Sequence, residues 1–325
     1  MKCLFLFLFT IIGISAKAYD AIVNNIYYNI NYITETAEVT SMDPVAILFG
    51  GKNYTGDITL PSTITYDGEV YRVTSIGNSA FQGCVGLTNI SIPNSVTSIG
   101  NSAFQGCVGL TNISFPNSVT TIGSGAFAGC SNLESISFSN RATPIIIGKD
   151  AFLNTKWFDS KPEGLIYIEK IALIYKGIMP DNTVIKIKDG TSIINSSVFA
   201  GCTGLRSIFI PQSVIVIGNN AFEGCSGLTT VILDNTTFVS KDLPDDIKGL
   251  EGYFGNQILE YIIGSHVTSI GNNVFANCSG MTNITIPSSV TSIGNKSFVG
   301  CTGLTNITIP NSVTNICDSA FYCCI

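Results

Sequence analysis

The chain has few charged residues, a single histidine and a single tryptophan. Lys, Arg, Asp and Glu make up 12% of its 325 residues, well below the roughly 25% of an average soluble protein. The net charge is −6 and no basic run occurs anywhere. Because nucleic acids and anionic membrane surfaces are bound through clustered Lys and Arg, this composition argues against both partners.

The sequence also lacks a long apolar run after its first 18 residues. Met1 to Ala18 begins with a lysine, continues with an apolar stretch, and ends in Ala16-Lys17-Ala18. Such a segment is typical of a secretory signal peptide, with the mature chain starting at Tyr19. The alternative, a membrane anchor, is disfavoured because a span needs about 20 apolar residues. We therefore expect a secreted or cell-surface protein with no membrane span after signal cleavage.

Catalytic and metal-binding patterns are scarce as well. His266 sits in an ordinary turn context with no neighbouring nucleophile, and no CxxC pair is present. The acidic residues Asp242, Asp245, Asp246 and Glu251 match no metal-binding loop, so a solvated loop is the favoured interpretation. The sequence predicts no catalytic residue, no metal and no cofactor, and a hydrolase is the least favoured function.

A repeat dominates what is present. Val73–Ser95 and Val96–Ser118 are nearly identical, and similar copies recur to the last residues. Each copy contains LxxIxI, whose tail alternates as a strand with one buried face, then Pro, VTSIG and Ala-Phe. We expect the Phe to fill the core. We expect the Gly after each Ile to adopt a turn conformation that other residues rarely adopt. Stacked repeats then bury a continuous core through parallel strands.

Cysteines occupy one position of the repeat. The eight in this position are Cys84, Cys107, Cys130, Cys202, Cys225, Cys278, Cys301 and Cys324. We interpret them as a column of buried thiols that pack as small apolar groups. Disulfides between neighbouring repeats remain an alternative. We expect Cys317, Cys323 and Cys324 to be the most exposed.

The motif LxxIxIPxSVTxIGxxAFxGC resembles the BspA-like class of leucine-rich repeats, from about Tyr54 to the C-terminus. The resemblance implies a leucine-rich repeat solenoid, mostly β with short turns or 3-10 helices, and parallel strands stacked at a 23-residue period. It also implies a role in adhesion or host contact. The resemblance implies no catalytic residues.

The expected domains are a signal peptide (1–18), an N-terminal β cap (19–72) and a repeat solenoid (73–325). Asp67-Gly68 predicts a hairpin within the cap. Irregular insertions are expected near 139–182 and 234–258, because Phe spacings widen there to 47 and 53 residues. Each gap is interpreted as a degenerate repeat plus an insertion. We expect two strands around Glu169-Lys170 in the first, and a charged surface loop in the second.

The outward positions of LxxIxI form the candidate binding surface. Most are Ser, Thr or Asn, and the exceptions are Glu134, Arg206, Phe209 and Ile232. Because aromatic and Arg side chains dominate interface energies, these four form the predicted site for an extracellular protein or glycan ligand. Two alternatives stay open: outward residues chosen only for strand propensity, and a structural spacer or display scaffold without a ligand. The uncovered C-terminal repeat also predicts self-association.

Overall fold

A computed structural model describes residues 19–41, 54–139, 145–244 and 249–324. The signal-peptide prediction lies outside these residues. The described residues divide into two compact units, unit 1 up to Lys161 and unit 2 from Pro162. Both are built from repeats with parallel strands about 23 residues apart and almost no helix.

Unit 1 holds the first strands and one short helix. Its elements are β1 Ala21–Val23, β2 Ile26–Asn31, β3 Thr36–Thr40, β4 Gly56–Thr59, β5 Thr63–Tyr66, β6 Glu69–Ile76, β7 Leu87–Ser91, β8 Ser98–Ile99, β9 Asn112–Phe115, β10 Thr121–Ile122, β11 Ser135–Phe138, β12 Ile146–Ile147 and α1 Lys156–Asp159. One sheet runs in the order β1-β2-β3-β6-β8-β10-β12, with β5 beside β6. Strands β4 and β7 pair separately, as do β9 and β11.

The N-terminal part of unit 1 is antiparallel, whereas the repeats that follow are parallel. β1, β2 and β3 form an antiparallel meander, and β3 then pairs in parallel with β6. The predicted hairpin at Asp67-Gly68 is confirmed: Tyr66 faces Glu69. Asp67 and Gly68 have φ values of 51° and 86°, as a two-residue hairpin turn with two left-handed residues requires. β6 continues without interruption across residue 72.

Unit 2 holds the remaining strands and two short helices. Its elements are β13 Gly164–Ile168, β14 Ile171–Lys176, β15 Thr183–Lys186, β16 Ile193–Ile194, β17 Leu205–Ile210, β18 Val216–Ile217, β19 Thr230–Leu233, α2 Thr236–Val239, α3 Glu251–Phe254, β20 Glu260–Ile263, β21 Ser269–Ile270, β22 Asn283–Thr285, β23 Ser292–Ile293 and β24 Asn315–Ile316. Its sheets are β13-β14-β16-β18, β15-β17-β19-β20-β22 and β21-β23-β24.

Each regular repeat contributes three faces. The strand face carries the LxxIxI strands (β4, β7, β9 and β11 in unit 1; β15, β17, β19, β20 and β22 in unit 2). The short-strand face carries the two-residue strands of VTSIG. The turn face carries the Ala-Phe segment, which forms turns in the described repeats. Backbone hydrogen bonds join neighbouring repeats on the turn face too, as where Phe81 N–H donates to Ala103 O at 2.7 Å.

Stacked phenylalanines fill the core, as the repeat predicts. Phe81, Phe104 and Phe127 are fully buried. Their ring centroids lie 5.0 and 4.9 Å apart, with interplanar angles of 4° and 8°. In unit 2, Phe275 and Phe298 stack in the same way at 5.2 Å and 2°. The side chain therefore recurs because every repeat must fill the same volume against its neighbour.

The prediction about the Gly after each Ile is wrong in its reason. Gly100 and Gly123 do not adopt left-handed φ values. A Cβ on Gly123 would instead lie 2.5 Å from backbone atoms of Gly100 and Asn101. The glycine is needed because neighbouring repeats approach closely there. Left-handed glycines instead occur directly before several column cysteines, as at Gly106 with φ 73°.

The first gap in the repeat is a hairpin followed by a degenerate repeat, as expected. β13 and β14 pair antiparallel, with Ile168 opposite Ile171. β14 then pairs in parallel with β16. The degenerate repeat supplies β15, whose Ile185 faces Ile208 of β17. Both elements therefore extend the sheets of unit 2.

The second gap is not the plain surface loop that the sequence predicts. Phe238, Val239, Leu250 and Phe254 are all buried, and they belong to or adjoin α2 and α3. Asn235 caps α2, since its Oδ1 accepts the Phe238 N–H at 3.2 Å. The segment therefore adds to the core while departing from the repeat motif. Asp245 and Asp246 lie outside the described residues.

Candidate binding face

Parallel pairing aligns the outward side chains of unit 2 in two columns on the strand face. The first column is Val184, Ser207, Thr230, Glu260 and Asn283, and the second is Lys186, Phe209, Ile232, Ile262 and Thr285. Strands in a sheet lie about 4.8 Å apart, so neighbours within a column are in contact range. The second column thus brings three large apolar side chains together.

Phe209, Ile232 and Ile262 form this apolar stripe. They lie on three successive strands, β17, β19 and β20, and all three are half-buried. The Lys186 ammonium lies 5.2 Å from the centroid of the Phe209 ring, a cation–π contact. The stripe is therefore bounded by a cation at one end and by Thr285 at the other.

Arg206 lies at the second position of β17, and its side chain is exposed. Its carbonyl accepts the Thr229 N–H at 3.1 Å, which ties its backbone to the next repeat. In the described part of the chain, the structure shows no ion pair for its guanidinium. A rigid backbone with an unpaired guanidinium suits recognition of a carboxylate or sulfate.

Glu134 lies in unit 1, whereas the other three predicted residues lie in unit 2. Its carboxylate pairs with the Lys156 ammonium, and both side chains are exposed. An exposed ion pair of this kind contributes only about 0–1 kcal/mol to stability. A charged group of a ligand could therefore replace either partner. Phe209 and Ile232 are direct neighbours, but Glu134 and the other three belong to different units. The predicted role of all four in binding stays a prediction.

The sequence interpretation missed Lys186 and Ile262. Both belong to degenerate repeats in which the Cys and Pro markers are absent. Aligning Glu260–Ile263 (EYII) with Thr230–Leu233 (TVIL) would have placed Ile262 beside Ile232, since both segments keep the alternation of a half-buried strand. Without the markers, the register between them could not be fixed.

The strand face of unit 1 has a different character. Its paired outward positions are Asp57 and Asn89, Thr59 and Ser91, Asn112 and Ser135, and Ser114 and Ser137. These side chains are small and mostly neutral, so they offer little area for a desolvated contact. The apolar stripe of unit 2 is therefore the more distinctive surface.

The cysteine column is a set of free thiols, of which six are buried as the sequence predicts, whereas Cys202 and Cys324 are half-buried. The structure adds a second reason for its recurrence. Cys107, Cys130 and Cys225 each donate their S–H to the carbonyl of the preceding repeat's Phe at 3.0 Å. Burial raises the pKa of Cys84 and Cys225 to about 12. Such thiols remain protonated and are poor nucleophiles.

His266 makes a structural contact. Its backbone N–H and its ring Nδ1 lie 3.1 and 2.7 Å from the two carboxylate oxygens of Asp234. These contacts join two consecutive repeats across the insertion. Among the described residues, no group of His, Cys, Asp or Glu could hold a metal ion. The acidic residue Asp242 instead accepts the Asn272 N–H at 2.8 Å.

The repeat matches the model of a known protein family. The family described as "BspA type Leucine rich repeat region (6 copies)" matches residues 69–161, 177–242 and 251–325. This match spans more than half of the chain, which therefore belongs to the BspA-type leucine-rich repeat family. The fold described above is a leucine-rich repeat solenoid. No curated protein matches the chain significantly.

Several solved structures are similar to the chain. A leucine-rich cell surface protein from Faecalibacterium prausnitzii is 22% identical, with coverage of 96% of this chain and 88% of that one and a TM-score of 0.39. A leucine-rich repeat protein from Bacteroides ovatus is 24% identical, with coverage of 94% and 93% and a TM-score of 0.34. The T. pallidum leucine-rich repeat protein is 21% identical, with coverage of 86% and 88% and a TM-score of 0.31.

The helices of the described residues are too short to cross a membrane, since none approaches the required length.

Proposed function

We propose that this protein is a secreted or surface-displayed, non-enzymatic repeat protein that mediates adhesion to an extracellular protein or glycan. The observation that carries the proposal is the stripe of Phe209, Ile232 and Ile262 on the strand face of unit 2. A spacer needs no such stripe, because small polar side chains satisfy a solvated strand face. Secretion is proposed from the N-terminal segment that ends at Ala18.

Buried apolar area and charge would both contribute to binding at this face. A large apolar side chain contributes about 1.5–3 kcal/mol to binding when it passes from full exposure to full burial, and less when it starts half-buried as these three do. Arg206 is exposed on the same strand as Phe209, and the Lys186 ammonium lies at the Phe209 end of the stripe, 4.0 Å from the Asp189 carboxylate. We therefore favour a ligand that presents an apolar or flat sugar surface next to a carboxylate or sulfate, since Arg binds such groups in a bidentate manner.

The test is a binding screen of the full chain against a panel of extracellular matrix proteins and glycans. The double variant Arg206→Ser and Phe209→Thr restores the polar residues common elsewhere on this face. For any ligand found, we expect it to weaken binding by roughly tenfold or more, as when hot-spot residues are removed. The matched control is Thr285→Ser, which lies on the same face and removes little area.

The outcome separates the alternatives. The proposal requires that the double variant bind more weakly while it unfolds at the same temperature as the parent chain. If the panel yields no ligand, the spacer function is favoured. If a ligand binds both proteins equally, the site lies elsewhere on the molecule. A hydrolytic activity in the purified chain would contradict the non-enzymatic part of the proposal.

Self-association is a second proposed interaction. Ile316 and Tyr322 are 48% and 65% exposed in the last described repeat. Exposed apolar side chains of this size favour contact with another copy.

A further inference from the structure

On the turn face, a regular repeat that is followed directly by another described repeat donates three backbone hydrogen bonds to it. Ser197, Phe199 and Gly201 donate their N–H groups to the carbonyls of Asn219, Ala221 and Glu223, at 3.1, 2.9 and 2.7 Å. The same pattern joins Ser102, Phe104 and Gly106 to Ser124, Ala126 and Ala128 in unit 1. In each case the acceptors are carbonyls of alternate residues.

Among the described residues of unit 2, this ladder is interrupted after the turn at 220–224. The N–H groups of Asn220, Phe222 and Gly224 have no acceptor among the described residues. The insertion of α2 and α3 follows this turn, and none of its described carbonyls accepts these N–H groups. On its other side two bonds join the insertion to the next repeat, since Leu243 and Leu250 donate to Asn272 and Val274 at 2.9 and 2.8 Å.

A groove lies against Asn220, Phe222 and Gly224. It encloses about 690 Å³ between the turn at 217–226 and the segment 251–257. This volume is within the range of about 300–1,000 Å³ typical of ligand sites. The rings of Phe222 and Phe254 lie 4.9 Å apart beneath it. Gln257 closes one side, with its Nε2 donating to Phe254 O at 2.7 Å.

The charge of the groove restricts its ligand. Glu223 and Glu251 line it, and no Lys, Arg or His does so among the described residues. Neither carboxylate takes part in an ion pair with another described residue. Unpaired N–H groups alone would attract anions, but two carboxylates repel them. A suitable ligand must therefore offer neutral acceptors to the N–H groups and a cation to the carboxylates.

We propose that this groove binds an extended peptide segment of a partner protein that carries Lys or Arg. The peptide carbonyls at alternate residues would accept the N–H groups of Asn220, Phe222 and Gly224, as the next repeat does elsewhere. Its basic side chain would pair with Glu223 or Glu251. This is backbone addition of the kind seen when a peptide extends an unpaired edge. The site is separate from the strand face and does not depend on ligand binding there.

The physical basis is a set of unsatisfied donors held in fixed positions. Asn220 and Gly224 are exposed, whereas the Phe222 side chain is buried, so water can reach the N–H groups of Asn220 and Gly224 in the free protein. A peptide replaces that water with carbonyls while losing little entropy in the protein, whose turn is already ordered by the preceding repeat. The Tyr253 side chain, half-buried at the edge of the groove, adds contact area.

The experiment uses the full ¹⁵N-labelled chain and the probe peptide acetyl-Thr-Lys-Thr-Lys-Thr-amide. We expect the amide signals of Asn220, Phe222 and Gly224 to shift with peptide concentrations up to about 1 mM, a range that detects weak binding. Their hydrogen exchange should be fast in the free chain, unlike that of Ser197, Phe199 and Gly201, and should slow when the peptide is bound.

The controls separate charge from backbone recognition. Acetyl-Thr-Glu-Thr-Glu-Thr-amide should not bind. The double variant Glu223→Gln and Glu251→Gln should weaken the lysine peptide by roughly tenfold or more, about 1.4 kcal/mol or more in binding. The control Glu169→Gln, in the exposed turn between β13 and β14, should not change binding. Phe209→Thr should not either, because it lies on the strand face.

Four results would overturn the proposal. The first is slow exchange of the three amides in the free chain, which would show that they are already bonded. The second is the absence of shifts at these amides with the lysine peptide. The third is binding of the glutamate peptide as tightly as the lysine peptide, or binding of the lysine peptide by the double variant as tightly as by the parent chain. The fourth is binding of a neutral oligosaccharide such as maltopentaose at these amides, with none of the peptide.

Discussion

Replacing Phe104 by Ala tests the packing of the core most directly. Phe104 is fully buried, and its ring is stacked between those of Phe81 and Phe127 at 5.0 and 4.9 Å. Phe→Ala changes in cores cost about 3–5 kcal/mol, and the cost rises with the cavity that remains. The loss of two ring-stacking contacts adds to this cost, because each aromatic pair contributes about 0.5–1.5 kcal/mol beyond the effect of its buried area.

The cavity cannot collapse easily at this position. The Phe104 N–H donates to Ala126 O at 2.7 Å, and the Phe81 N–H donates to Ala103 O at the same distance. These bonds hold the two neighbouring turns apart at the spacing of the repeat. We therefore expect a loss in the upper part of the range of about 3–5 kcal/mol.

Urea denaturation followed by circular dichroism measures this loss. Phe104→Leu should lower the free energy of unfolding less than Phe104→Ala does, because leucine fills more of the cavity, although it does not restore the ring stacking. Val85→Ala is the surface control, since Val85 is 60% exposed, and it should change stability by less than about 0.5 kcal/mol. A loss below about 1 kcal/mol for Phe104→Ala would refute the reasoning.

Four further predictions concern the thiols, the N-terminal segment and self-association. Burial raises the pKa of Cys84 and Cys225 to about 12, so the folded chain keeps protons that the unfolded chain loses above its thiol pKa of about 8.5. The free energy of unfolding should therefore fall as pH rises from 8 to 10, and a thiol reagent should modify exposed Cys323 first. N-terminal sequencing of exported protein should show cleavage after Ala18, and retention of the apolar segment would contradict secretion. Light scattering should detect self-association that Tyr322→Ser reduces, whereas a monomer at high concentration would contradict it.

Much of the fold followed from the repeat itself. The LxxIxI strands, the buried Phe and the free cysteines were predicted because each repeat contacts mainly its neighbours. The alternation within LxxIxI also placed Arg206 and Phe209 on the outward face, where Arg206 is exposed and Phe209 half-buried. A local pattern can determine such features, since the same residues meet the same surroundings in successive repeats.

The glycine after each Ile shows where sequence reasoning alone chose the wrong cause. A glycine suggests unusual backbone angles, but at Gly100 and Gly123 the requirement is close approach of the neighbouring repeat. That approach is a contact between residues 23 positions apart. Only the stacked structure distinguishes it from a conformational need.

The interruptions depended on the tertiary structure. Leu250 and Phe254 are buried although no repeat position predicts them, and Ile262 joins the stripe only through the pairing of β19 with β20. Sequence by itself determined where side chains point within a regular repeat, because strand alternation is local. The tertiary structure decided which repeats stay in register across an insertion and which backbone donors lose their partners. Those outcomes depend on how two distant segments fill one volume, and no periodic signal encodes that fit.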